Sequence, residues 1–119
     1  MKEIRFEVPL ETYEGELEIS DGGKTNKEKI TDKRLLTLCL EMQRAESITE
    51  LRKLNDLCSL IEDCPQNGNL LITEDQKKFL LKKFESMSWN PKKEIRIPVL
   101  GLAAKLEMAK QVDVEINKA

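Results

Sequence analysis

Two adjacent carboxylate pairs, Glu62-Asp63 and Glu74-Asp75, and three cysteines, Cys39, Cys58 and Cys64, are the residues whose type best suits chemistry. Paired acids can hold magnesium or divide into general acid and base. Neighbours on a helix, however, point about 100° apart, so neither pair converges on one atom. Each also has an ordinary task. Glu74 and Asp75 suit the positive start of a helix, and Glu62 and Asp63 are surface residues near a helix end.

The chain has no histidine, which excludes His-based triads and His-containing metal sites. The cysteines form no CxxC pair and are too scattered for zinc, and their odd number argues against a disulfide framework. Cys39 and Cys58 fall on apolar helix faces as small hydrophobes. Cys64, beside Pro65 at a helix end, is the more exposed thiol. Gly22-Gly23-Lys24-Thr25 lacks the leading glycine of a GxxxxGK[ST] phosphate loop and reads as a mobile turn. The expectation is a non-enzyme with no catalytic, metal or cofactor-binding residue.

What the sequence does display is sorted charge. From Met1 to Gly23 the acids Glu3, Glu7, Glu11, Glu14, Glu16, Glu18 and Asp21 are opposed only by Lys2 and Arg5. From Gln76 to Pro98, Lys77, Lys78, Lys82, Lys83, Lys92, Lys93 and Arg96 face only Glu85 and Glu94. The net charge of −2 hides this asymmetry. It implies two contact surfaces, or pairing of one region with the other.

The basic run holds a single arginine in a slightly acidic chain, a poor basis for phosphate and base contacts. Nucleic acid is therefore not the expected partner. Partner-binding candidates are Glu14, Glu16 and Glu18 on the acidic side, and Lys78, Lys82, Trp89, Lys92, Lys93 and Arg96 on the basic side. Trp89, beside Asn90-Pro91, is either a plug on the core or an exposed anchor for a protein partner.

These residues must be carried by short elements. Ile4, Phe6, Val8 and Leu10 alternate with Glu3, Arg5, Glu7 and Pro9, the pattern of a half-buried strand. Leu17 and Ile19 repeat it. Residues 1–20 are thus a strand, a hairpin turning near Gly15, or an extended arm laid on another subunit. Residues 21–30 read as a flexible connection. Residues 31–119 read as a helical core with short strands.

In that core a helix over 32–45, capped by Thr31, carries a broad apolar surface and should be central. A second helix starts at the capping box Ser47-Ile48-Thr49-Glu50 and ends at Cys64-Pro65. Leu70-Leu71-Ile72 is a short strand. A second capping box, Thr73 to Gln76, opens a helix over 74–87. Lys92 to Ile97 reads as a loop or extended piece, and Pro98 as the first turn of a fourth helix. Val112, Val114 and Ile116 alternate with charge as a last strand.

The fold class is therefore α+β: about four helices in two antiparallel pairs, with a small sheet from N-terminal, central and C-terminal strands. One domain suits 119 residues. No apolar run is long enough to cross a bilayer, and no apolar signal segment opens the chain. The expected location is the cytoplasm, bacterial or viral inside a host.

The stretch Ile72-Thr73-Glu74-Asp75-Gln76, then Phe79-Leu80, Phe84 and Met87-Ser88-Trp89, resembles a pattern in small accessory and assembly proteins of tailed bacteriophages. The likeness covers mainly residues 70–110. It implies an assembly or accessory role in a phage or prophage and supplies no catalytic residue. The expected function is protein–protein interaction, structural or in assembly, with self-association among the options and no small-molecule substrate. The alternative is a small acidic regulator or inhibitor that binds a basic site on its partner, and behind it stands a nucleic-acid-binding protein that uses residues 77–96.

Overall fold

In the computed structural model, residues 2–115 are described. The chain runs β1 (Lys2–Pro9), β2 (Thr12–Asp21), β3 (Lys24–Thr31), α1 (Asp32–Glu41), α2 (Ile48–Asp63), β4 (Asn69–Ile72), α3 (Glu74–Ser86), α4 (Lys93–Glu107) and β5 (Lys110–Glu115). The fold is α+β, with α1 packed on α2 and α3 on α4 as antiparallel pairs. The expected sheet of N-terminal, central and C-terminal strands is present, in the order β4-β1-β5.

β1 lies between β4 and β5 and pairs antiparallel with both. The short central strand and the last strand thus meet the first strand, not each other. Phe6 opposes Ile72 and Val8 opposes Leu70, so one face of this sheet joins the core. Pro9, which lacks a donor, closes β1. Val112 and Val114 sit across from Arg5 and Glu3, on the face away from Phe6 and Val8. Their alternation marks a strand without placing them in the core. Ile116 lies outside the described residues.

Residues 2–9 are an interior strand of the body, so this segment is no arm. Gly15 is not a turn. It lies within β2 at φ +108, where the pairing with β3 shifts register between Thr12 and Glu16. The turn is Gly22-Gly23, with positive φ at both residues, as a two-residue hairpin loop requires. Residues 24–31 form β3, where a flexible connection was expected. Its first residues are polar on both faces, so period two gives no signal there. Pairing with β2 and the glycine turn make it a strand.

Helix starts follow their caps closely. Thr31 accepts from Arg34 N–H at 3.0 Å, Ser47 from Glu50 N–H at 3.1 Å, and Thr73 from Gln76 N–H at 3.1 Å. The box at Thr73 is complete, because Gln76 accepts from Thr73 N–H at 2.9 Å. At Ser47 it is half made: the Glu50 carboxylate turns to Lys83 and to Glu46 N–H.

α1 is central, as its apolar breadth requires, with Leu35, Leu36, Cys39 and Leu40 buried. It stops at Glu41, short of Ala45. Lys33 crosses to the end of α2 and donates to the carbonyls of Glu62 and Cys64, supplying a cation to unpaired carbonyls there.

α4 departs most from the sequence reading. It begins at Lys93, and Pro98 lies inside it. Ile95, Val99, Leu102 and Leu106 follow a helical period and pack on the core, so Ile95-Arg96-Ile97 is not an extended alternation. Among the described residues no helix is long and apolar enough to cross a membrane.

Candidate functional site

Asp32 is the first residue of α1 and has no solvent exposure. A buried carboxylate needs donors or a cation, and three segments provide them. Glu11 N–H donates at 2.8 Å, the Tyr13 hydroxyl at 2.7 Å and the Lys105 ammonium at 2.7 Å. Asp32 N–H returns a bond to the Glu11 carbonyl at 2.9 Å. Lys105 also pairs with the Glu11 carboxylate and donates to the Pro9 carbonyl at 3.2 Å. One side chain thus fastens the β1–β2 corner, β2, α1 and α4.

The electrostatics of this cluster favour cohesion over proton transfer. Burial, reinforced by the adjacent Asp32 carboxylate, pushes the Tyr13 hydroxyl up to about 12. Burial opposes the Lys105 ammonium, but bonds to Asp32, Glu11 and Tyr13 outweigh it and raise its pKa above the ordinary lysine value. The same lysine lowers the pKa of Glu11. Neither Tyr13 nor Lys105 is a base near neutral pH. Little in the sequence marks the cluster: Asp32 reads as a helix-start acid, Lys105 as a surface lysine, and Tyr13 as one aromatic among few.

The residues weighed first for chemistry do not converge. Glu62, Asp63, Glu74 and Asp75 are exposed. Among the described residues, no three His, Cys, Asp or Glu side chains gather as metal ligands would. All three cysteines are free. Cys39 is fully buried, which pushes its thiol up to about 12, and burial also raises Cys58. Cys64, expected to be the more exposed thiol, is buried; Cys58 is the half-buried one. Raised thiol pKa values disfavour the reactive thiolate.

Glu14, Glu16 and Glu18 lie exposed along β2. The register sets Glu16 opposite Lys29 and Glu18 opposite Lys27, and directly opposed residues share a face. Glu16 and Glu18 are therefore offset within the hairpin by the β3 lysines, while Glu3 pairs with Arg5 and Glu11 with Lys105.

The basic run divides. The Lys77 ammonium lies 4.5 Å from the centre of the Phe6 ring. Lys83 pairs with Glu50, lowering that acid's pKa. Lys78 lies 3.6 Å from Glu74 one turn away. Lys82 is exposed on α3, while Lys92, Lys93 and Arg96 are exposed at the start of α4. Trp89 is half-buried on the core. Its ring centre is 4.9 Å from that of Phe84, and its Nε1–H donates to the Phe84 carbonyl at 3.1 Å.

The feature the sequence reading missed is the solvent face of α4. Ile97, Leu100 and Met108 are 55%, 63% and 83% exposed, and Gly101 and Ala104 between them are exposed as well. At 3.6 residues per turn these five fall within an arc of about 100°. A groove of about 460 Å³ runs beside this stripe, between Gly101, Ala104 and Met108 of the α4 segment and Glu7 and Pro9 of β1. The alternation that suggests a strand over 95–97 conceals a helix apolar on both sides. No family model, curated protein or solved structure matches the chain.

Proposed function

We propose that this protein is a non-catalytic protein-binding component, structural or concerned with assembly, whose contact surface is the solvent face of α4. The observation that carries this reading is the exposure of Ile97, Leu100 and Met108 along one stripe. A helix on the surface of a small domain normally turns polar residues outward. A contiguous apolar strip with polar neighbours marks a contact site. Lys92, Lys93 and Arg96 supply a charged rim at one end, the anatomy of a protein interface.

The resemblance over residues 70–110 to accessory and assembly proteins of tailed phages supports a role within a phage assembly. The alternative, an acidic regulator acting through Glu14, Glu16 and Glu18, has less support, because Lys29 and Lys27 offset Glu16 and Glu18 across the hairpin.

Met108 and Met42, both strongly exposed, provide the test. Met108 lies on the α4 face, while Met42 caps the end of α1 far from Asp32. In extract of the native cell, Met108 should oxidise to its sulfoxide more slowly than in the dilute purified chain, with Met42 unchanged. Equal Met108 rates in the two settings would refute the contact surface.

A further inference from the structure

We infer that the α4 face receives a second copy of the same chain, laid antiparallel across it. The inference rests on the reading of α4 as a contact surface and names its partner. It follows from the order of sizes and charges along the helix.

Large side chains, Ile97 and Leu100, open the stripe, small ones, Gly101 and Ala104, follow, and Met108 closes it at the C-cap. Two copies related by a two-fold axis between Leu100 and Gly101 place Leu100 of each against Gly101 of the other, and Ile97 against Ala104. A Cβ built on Gly101 meets nothing within 4 Å, so this position is open to a neighbour. A symmetric pair needs one self-complementary patch, and large-against-small is what lets two helix faces interlock. A parallel arrangement sets large against large and small against small.

Charge follows the same symmetry. Arg96 lies on one flank of the stripe near its start, with Lys93 about a turn earlier and nearer the stripe's centre, and Glu107 lies on the Arg96 flank near the stripe's end. All three are exposed. The two-fold axis keeps a flank on its own side and reverses its direction. Glu107 of one copy then comes level with Lys93 and Arg96 of the other. Parallel pairing leaves Glu107 of one copy about three to four turns away from Arg96 and Lys93 of the other, so no such pair forms.

From Ile97 to Met108 the stripe spans about 16 Å. A contact of that length is at the low end of stable interfaces, so the pair forms as a concentration-dependent dimer.

Sedimentation equilibrium on the full chain at neutral pH provides the test. The mass should rise from 13.7 kDa towards twice that value as concentration increases. Leu100→Lys, at a position open to solvent in the single chain, should weaken the dimer about tenfold or more and leave the circular dichroism unchanged. Arg96→Glu and Glu107→Lys should each weaken it, and the double variant should regain affinity, since the reversed charges again face each other. A chain of 13.7 kDa at every concentration overturns the self-pair, as does a double variant no tighter than either single one. Slower Met108 oxidation in native extract would then still support a contact surface with a different partner, whereas equal rates would remove that as well.

Discussion

The ammonium of Lys105, in the last turn of α4, lies 2.7 Å from the carboxylate of Asp32, the first residue of α1. Asp32 is inaccessible to solvent and the Lys105 side chain is 20% exposed. The pair holds α4 against the body on one side and leaves its apolar stripe outward on the other.

Removing the cation leaves a buried carboxylate without its charge partner. Lys105→Met, which keeps most of the apolar stem, should lower the unfolding free energy by about 2–4 kcal/mol. Urea unfolding measures this. A loss below about 0.5 kcal/mol would place the pair among ordinary surface ion pairs.

The same cluster sets an alkaline limit. Tyr13 and Lys105 both titrate higher in the folded chain than in the unfolded one. Above about pH 10 the unfolded chain releases protons that the folded chain retains, so it binds fewer protons and stability falls as pH rises. The stabilisation is complete below about pH 10; the Tyr13 share is lost through about pH 12 and the Lys105 share at still higher pH. Because Tyr13 is the only tyrosine, phenolate absorbance reports it directly. Its midpoint should lie well above 10 in the folded chain and near 10 in urea. A folded midpoint near 10 would mean that the hydroxyl does not donate to Asp32.

Trp89 contributes to the fold through the Phe84 carbonyl and ring. Trp89→Phe keeps an aromatic contact and loses the 3.1 Å hydrogen bond, at a cost of about 1 kcal/mol. Trp89→Ala should cost about 2–3 kcal/mol. Thermal or urea unfolding of the two variants separates these. Equal stability of Trp89→Ala and the parent chain would make Trp89 a free surface anchor instead.

Gly15 sits at φ +108, and a Cβ there would lie 3.4 Å from Ile30 Cδ1 and 3.6 Å from Glu94 Cβ. Gly15→Ala should destabilise by about 1–3 kcal/mol, chiefly from backbone strain. An unchanged urea midpoint would show that β2 relaxes there without cost.

Much of the fold is legible in the sequence where one signal dominates. Thr31, Ser47 and Thr73 announce three helix starts because side-chain oxygens at those positions satisfy N–H groups that nothing else reaches. The alternation of Ile4, Phe6, Val8 and Leu10 announces β1. β3 escapes because Lys24 to Lys29 expose both faces and leave no period. The start of α4 escapes because Ile95-Arg96-Ile97 fits period two as well as a helix with Ile95 inward and Ile97 outward. That ambiguity hides the place of Ile97 on the stripe, whereas Leu100, Gly101 and Ala104 fall in the helix expected from Pro98, where an apolar residue such as Leu100 reads as core. Asp32 escapes for a different reason. Its partners Glu11, Tyr13 and Lys105 are brought together by topology, and no local pattern links them.

The most direct measurement is photocrosslinking in the native cell from a probe residue replacing Leu100, compared with the same probe replacing exposed Glu62. The α4 surface predicts a discrete protein adduct from position 100 and none from position 62, and self-pairing predicts that the adduct has twice the mass of the chain. No adduct from position 100, or equal and diffuse labelling from both positions, would contradict the account.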